Sequence, residues 1–381
     1  MSILRRSLIK SIEETGKLGA VFKNRALHST RAFSENLARF EECFAGRGAN
    51  SAPVSVEALQ RIALAYQLAI EDMHSRHFYY ISNEWVPLYR QYQNEHIRAL
   101  THGNIDALAT TYANFFRERI SQGLCGLPTK MERFFNGRAS NLDKLWYVGD
   151  FTHRLRILRE KYPSVTPDDL ATTDIGNPYG AFFDGVFVRT GAEYQYAFAQ
   201  QANALLGRYN SGSLLEIGGG YGGMASYLAR LQPYLRYINI DLPENLALAT
   251  YYLMSHFPHA NFQLYGETAT ANNANEPIFS MLPSFAIEGL VPKGAMIAFN
   301  SYSFAEMSNQ AVANYIIQLA RLEVKAILHI NHTKNSASSA DSFDFTSHGY
   351  ALVSRERSAW NDGRNWLADE FEFLYEQEST G

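Results

Sequence analysis

Apolar positions recur at helical spacing through the first 160 or so residues. In "SVEALQRIALAYQLAIEDM", Leu59, Ile62, Ala63, Tyr66 and Ile70 fall on one face, with Ser55 placed to cap the N-terminus. "NIDALATTYANFFRERI" repeats the pattern, and no strand alternation stands out in this half. The spacing predicts an all-helical N-terminal domain.

The texture changes between Tyr162 and Gly191. Pro163, Pro167, Pro178, Gly176, Gly180 and Gly185 predict turns and loops, and hence a connector that can cover a pocket. Beyond it, short apolar runs alternate with helical stretches. The runs are "SLLEI" (213–217), "RYINIDL" (236–242), "NFQLYG" (261–266), "AMIAFNSY" (295–302) and "VKAILHIN" (324–331). Helical patterns lie at 223–231, 244–256 and 307–322. Such alternation predicts βαβ units and a parallel sheet. "YALVSR" (350–355) and "EFEFLYEQ" (370–377) add two strands, the second alternating as an antiparallel edge would. The fold class is therefore α/β, a Rossmann-like sheet behind a helical domain. The expected parts are 1–165, helical; 166–205, connector and pocket cover; and 206–381, the nucleotide-type domain.

"SLLEIGGGYGGMASYLARL" joins the first strand to the first helix of that sheet. Glycines are costly to order, so five of them (Gly218, Gly219, Gly220, Gly222, Gly223) within one turn need a reason. At the carboxyl edge of a parallel sheet the reason is close approach of backbone to a ligand. Glu216 precedes the glycines, and Asp241 ends the next strand 25 positions later. A phosphate loop would need Gly-Lys-Ser or Gly-Lys-Thr, and the loop has no lysine. A nicotinamide site stays open, because Gly218, Gly220 and Gly223 satisfy G-x-G-x-x-G. An acid two residues before the first glycine suits S-adenosylmethionine better, because a carboxylate complements its ammonium and sulfonium. Asp241 would then accept from ribose hydroxyls. The bland alternative is a plain α/β domain with no ligand.

Composition narrows the classes. With 381 residues and 46% apolar content the chain can bury a large core. Acids exceed bases, 38 to 34, which gives no sign of a nucleic-acid surface. Cys43 and Cys125 stand apart in no motif, so a disulfide scaffold or cysteine zinc site is not expected, and a cytoplasmic location is. No apolar run is long enough to span a bilayer. The basic "MSILRRSLIKSI" is followed at once by Glu13 and Glu14 and reads as an amphipathic helix rather than a transit peptide.

"LLEIGGGYGGMASYLARL", "INIDLPENLALATYYL" and "FNSYSFAEMS", with "IGNPYG" (175–180) upstream, resemble the bacterial family of sugar O-methyltransferases. These belong to the class I S-adenosylmethionine-dependent methyltransferases, and the resemblance covers about residues 174 to 335. It implies that Glu216, Gly218, Gly220 and Gly222 line the methionyl part of the cofactor, with Tyr221 in the same loop and Asn300 across from it. It places Asp241 on the ribose, Leu242 beside the adenine, and Gly266 and Glu267 at the adenine edge. The implied partner is a small-molecule acceptor, a sugar or glycosylated metabolite of secondary metabolism. Whether the chain forms a homo-oligomer is left open.

Methyl transfer to a hydroxyl calls for positioning, exclusion of water and a base. Glu306, just past the fourth strand, and His332, just past the fifth, are the candidate bases. Ser303, Asn331 and Tyr179 are candidate acceptor contacts, and Asn300 could also orient the acceptor. Each has a plainer reading: Ser303-x-x-Glu306 spells a capping box, and His332 sits in a loop. His329, inside a strand, reads as a core histidine, and no metal is expected. The aromatic "RHFYYISNEW" (76–85) invites a sugar-stacking role, although aromatics at helical spacing are usually core. Arg189, Tyr194 and Tyr196, just before the nucleotide unit, are candidates to cover the cofactor's carboxylate end. Three rivals remain: methylation of nitrogen or carbon, a nicotinamide-dependent oxidoreductase, and a silent cofactor-binding module. Against the oxidoreductase, the nucleotide unit begins late and no Tyr-x-x-x-Lys is present.

Overall fold

In the computed structural model, residues 3–48, 54–73, 86, 89–126, 128–268, 277–292, 294–334, 336–361 and 369–378 are described. The aromatic run 76–85 lies outside them. The helical half contains α1 (Ile3–Lys23), α2 (Arg31–Ala38), α3 (Phe40–Phe44), α4 (Val56–Met73), α5 (Asn94–Thr101), α6 (Ile105–Ala113), α7 (Pro128–Phe135) and α8 (Asn141–Lys161). Helix α4 starts where Ser55 Oγ accepts from Ala58 N at 3.2 Å, and it buries Leu59, Ile62, Ala63 and Tyr66. Helix α8 opens on a capping box between Ser140 and Asp143.

The stretch expected as loop holds more order. After the short α9 (Pro167–Leu170), β1 (Gly180–Phe183) and β2 (Val186–Arg189) pair as an antiparallel hairpin. Its two-residue turn, Asp184-Gly185, has positive φ at both positions (47° and 86°), as a type I′ turn requires. Helix α10 (Ala192–Arg208) then leads into the sheet.

The sheet contains β3 (Ser213–Ile217), β4 (Arg236–Asp241), β5 (Asn261–Leu264), β6 (Ile278–Pro283), β7 (Met296–Ser301), β8 (Ala326–His332), β9 (Tyr350–Arg357) and β10 (Glu370–Gln377). Their spatial order is β5-β6-β4-β3-β7-β8-β10-β9, parallel except at the β10 pairings. Two expectations are corrected. Strand β6 fills a stretch in which no strand was expected. The "EFEFLYEQ" strand is antiparallel but not an edge, because β9 pairs along its far side.

Helices α11 (Gly223–Leu231), α12 (Pro243–His256), α13 (Ser303–Glu306) and α14 (Asn309–Arg321) complete the βαβ units. Alternating side chains divide between the two faces of the sheet. Leu214, Ile297 and Phe299 join a core shared with α10, α11, α12, Phe183 of β1 and the helical half, including Phe33 and Tyr112. Leu215, Ile217 and Ala298 face a second core built with Val312, Ile316 and Leu319 of α14. Burial on both faces explains why these strands read as continuous apolar runs. From β3 the chain winds outward through β4 to β5 and β6, then returns to β7 on the other side of β3. That reversal is a topological switch point, where such sheets bind ligands.

Candidate functional site

The glycine loop occupies that switch point. Asn300 Nδ2, at the end of β7, donates to Ile217 O (2.7 Å) and to Ser303 Oγ (2.5 Å), and Ser303 Oγ donates to Ile217 O (3.1 Å). This clamp on the last carbonyl of β3 brings the two loops into contact. Gly218 (φ 73°) must lack a side chain, because a Cβ there would stand 2.1 Å from Ser303 Oγ. Gly220 (φ 56°) is bare for another reason: its missing Cβ would meet nothing closer than Leu124, at 3.9 Å across the cavity. Gly222 begins α11 in the left-handed conformation.

Two buried acids flank the loop. Glu216 lines the cavity and accepts a hydrogen bond from Tyr237 Oη. Burial pushes its carboxyl up to about 8 against that bond, and nearby Asp241 acts in the same direction. Asp241 Oδ2 accepts from Gly220 N at 2.8 Å, while Oδ1 accepts from Leu242 N (2.7 Å) and Asn245 Nδ2 (2.9 Å). Burial raises it to about 6 in spite of these three bonds. A carboxylate offers roughly four acceptor positions, so about one is left for a ligand hydroxyl.

The cavity measures about 380 Å³. Its floor is the glycine loop with Glu216, Asp241 and Leu242, and its far wall includes Ser301, Tyr302, Ser303 and Glu306. Tyr194, Gln195 and Phe198 of α10 close one side, with Gly123 and Leu124 from the helical half. Ser284 completes the side near Asp241 and Leu242. Its buried hydroxyl has no hydrogen-bond partner among the described residues.

The candidate bases occupy different positions. Tyr302, not Ser303, is the N-cap of α13, so the capping box does not form; Tyr302 holds φ 65°, ψ −34°. Glu306 lines the cavity one turn later, half-buried. His332 stands behind Tyr302, with ring centroids 5.8 Å apart and Nδ1 3.7 Å from Asp369 Oδ1. It is not among the described residues that line the cavity. Tyr302 Oη is 3.3 Å from Glu370 Oε1.

Several expected contacts are used elsewhere. Asn331 is buried; it donates to Asn300 Oδ1 (2.8 Å) and accepts from Ala305 N (3.0 Å), shaping the turn rather than facing the cavity. Tyr179 is packed between Phe44 and Phe135. Gly266 lies against Leu68, and Glu267 is held by Arg61 through Nε (2.8 Å) and Nη2 (3.0 Å). His329 is stacked among Phe345, Phe373 and Tyr375, and burial lowers it to about 3, which keeps it neutral. Conversely, Leu124, Gln195, Phe198, Ser284 and Tyr302 line the cavity without having been singled out as site residues, and Tyr194, expected near the cofactor's carboxylate end, lines it as well. Only α10 carried a signal, since it overlaps the stretch expected to cover the pocket and leads directly into β3.

The sequence matches no family model and no curated protein. Among solved structures, part of the chain is similar to magnesium protoporphyrin IX methyltransferase from Synechocystis PCC 6803 with bound S-adenosylhomocysteine, at 10% identity over 49% of this chain and 84% of that one (TM-score 0.36). A glycopeptide N-methyltransferase complexed with sinefungin is similar at 11% identity over 48% of this chain and 87% of that one (TM-score 0.35). Mitomycin 7-O-methyltransferase is similar at 12% identity over 49% of this chain, which spans 55% of that enzyme (TM-score 0.33).

Proposed function

We propose that the chain is an S-adenosylmethionine-dependent methyltransferase that methylates a hydroxyl of a sugar or glycosylated metabolite. The observation that carries this reading is the cavity at the switch point, lined by a bare glycine loop between two buried acids. The residues fit the cofactor. Gly220 leaves open space where a side chain would project, and Ser284 presents an unpartnered hydroxyl on the Asp241 side. Asp241 and Ser284 would hold the nucleoside, and Glu216 the positively charged end.

When bound, the cofactor supplies a methyl group already activated on a sulfonium. The chain's part is to orient the acceptor, exclude water and take a proton. In this reading Glu306 takes the acceptor proton, which its position as the cavity-lining carboxylate on the β7 side supports. His332 with Asp369 supports that wall from behind Tyr302. Leu124 brings the helical half to the cavity, which supports a role for that half in acceptor binding.

The test is transfer of a labelled methyl group to a panel of glycosides, amines and carbon nucleophiles. The reading expects label on glycoside hydroxyls. Label confined to amines or carbon would replace the O-methylation part.

A further inference from the structure

Arg189, the last residue of β2, is 2% exposed. Its guanidinium lies among the rings of Phe116, Tyr221 and Tyr227, at 5.3–5.8 Å from their centroids. Its side-chain hydrogen bonds go to neutral acceptors, Gln195 Oε1 and Thr190 O. Among the described residues it forms no ion pair. Arg154, the neighbouring buried arginine, is by contrast matched by Asp150 and Glu193.

A buried cation without a counter-charge is unfavourable, and aromatic faces offset only part of that. A negative charge on a bound ligand would supply the missing counter-charge. The position of Arg189 fits such a ligand, because it is one side chain away from the cavity. Gln195 Oε1 accepts from Arg189 Nη2 and from Tyr221 Oη (2.7 Å), and both Gln195 and Tyr221 line the cavity. With Oε1 occupied twice, the donors of Gln195 Nε2 are the amide atoms left for a ligand; they make no hydrogen bond among the described residues. Glu216 is the negative pole of the same cavity.

We infer that Arg189 is the counter-charge for a carboxylate on the bound ligand, acting through Gln195 and Tyr221. Arg189 and Glu216 together then select a zwitterionic α-amino acid group. This inference rests on the methyl-donor reading and adds the residue that recognises the amino acid end of the donor. Arg189 is a positioning residue, since the groups that touch the ligand are those of Gln195.

The experiment compares S-adenosylhomocysteine with 5′-methylthioadenosine, which has the nucleoside and sulfur but no amino acid group. Both are titrated calorimetrically into the wild type, Arg189→Met and Gln195→Glu. Gln195→Glu keeps the shape and gives Arg189 an internal carboxylate, so it preserves the fold if Arg189→Met does not. The wild type should prefer S-adenosylhomocysteine. Each folded variant should cut that preference by at least about tenfold, with 5′-methylthioadenosine affinity unchanged. An unaltered preference in Gln195→Glu overturns the inference and leaves the methyl-donor reading standing. Failure of the wild type to bind either compound overturns both.

Discussion

Ser303 Oγ occupies the space that a side chain on Gly218 would need: a Cβ there would come within 2.1 Å of it. The contact joins the end of β3 to the end of β7, the two strands that flank the switch point. Gly218→Ala should push Ser303 off Ile217 O and force alanine to φ 73°. A loss of about 2 kcal/mol or more in denaturant unfolding is expected, together with loss of ligand binding. Gly220→Ala separates the two effects. Its methyl group would enter the cavity rather than strike protein, so backbone strain alone should cost about 1 kcal/mol. Ligand affinity should nevertheless fall at least about tenfold. Equal behaviour of the two variants would contradict this account of the loop.

Glu216 links the site to pH. Its carboxyl rises from the ordinary 4.5 to about 8 because it is buried. Below pH 4.5 the folded and unfolded chains both hold the proton; between there and about 8 only the folded chain does. Stability from this group is therefore fully present at low pH and is lost as pH rises through 8. Glu216→Gln should flatten that part of the stability profile. A cationic ligand favours the ionised form, so binding at pH 7 should release about one proton from the wild type and none from Glu216→Gln. Calorimetry in buffers of different ionisation enthalpy measures this directly, and equal release from both proteins would contradict it.

Glu306 and His332 differ in access. Glu306→Gln should reduce turnover about 100-fold while leaving S-adenosylhomocysteine affinity within about twofold. His332→Ala should cost less than about tenfold, because His332 acts behind Tyr302. The larger effect on His332 would reverse the assignment, and no effect on either would favour a nitrogen or carbon acceptor.

Glu267 is bound to Arg61 on a partly exposed surface. Glu267→Gln should therefore leave ligand affinity unchanged and cost about 0.5 kcal/mol of stability. A tenfold loss of affinity would return Glu267 to the adenine edge.

The legible part of the fold follows from burial on both faces of the sheet. Strands such as "SLLEI" have no polar alternation to blur them, and the glycine loop betrays the close approach of β7. Strand β6, "IFSMLP", alternates between buried and half-buried positions and ends in Pro283, so it lacks the continuous apolar run by which the other parallel strands were recognised. The β1–β2 hairpin carried its own signal in Asp184-Gly185 between apolar pairs, hidden by the surrounding prolines. The cavity was legible on its strand side and, through Tyr194, in the stretch expected to cover the pocket. Glu216 and Asp241 follow from position along the chain. Leu124 and Gln195 reach the cavity through tertiary packing, which leaves no local pattern. Gly266 and Glu267 follow a strand as a ligand loop would, yet β6 separates β5 from β4, so that loop meets α4 instead of the cavity.

The central claim is that the glycine loop and its two acids hold a sulfonium nucleoside. It is tested most directly by calorimetric titration of the wild type and Asp241→Ala with S-adenosylhomocysteine and, in parallel, with NAD. Saturable binding of S-adenosylhomocysteine by the wild type, weakened at least about tenfold in a folded Asp241→Ala, with no NAD binding, is the expected result. Binding of NAD alone, or of neither compound, would contradict the account.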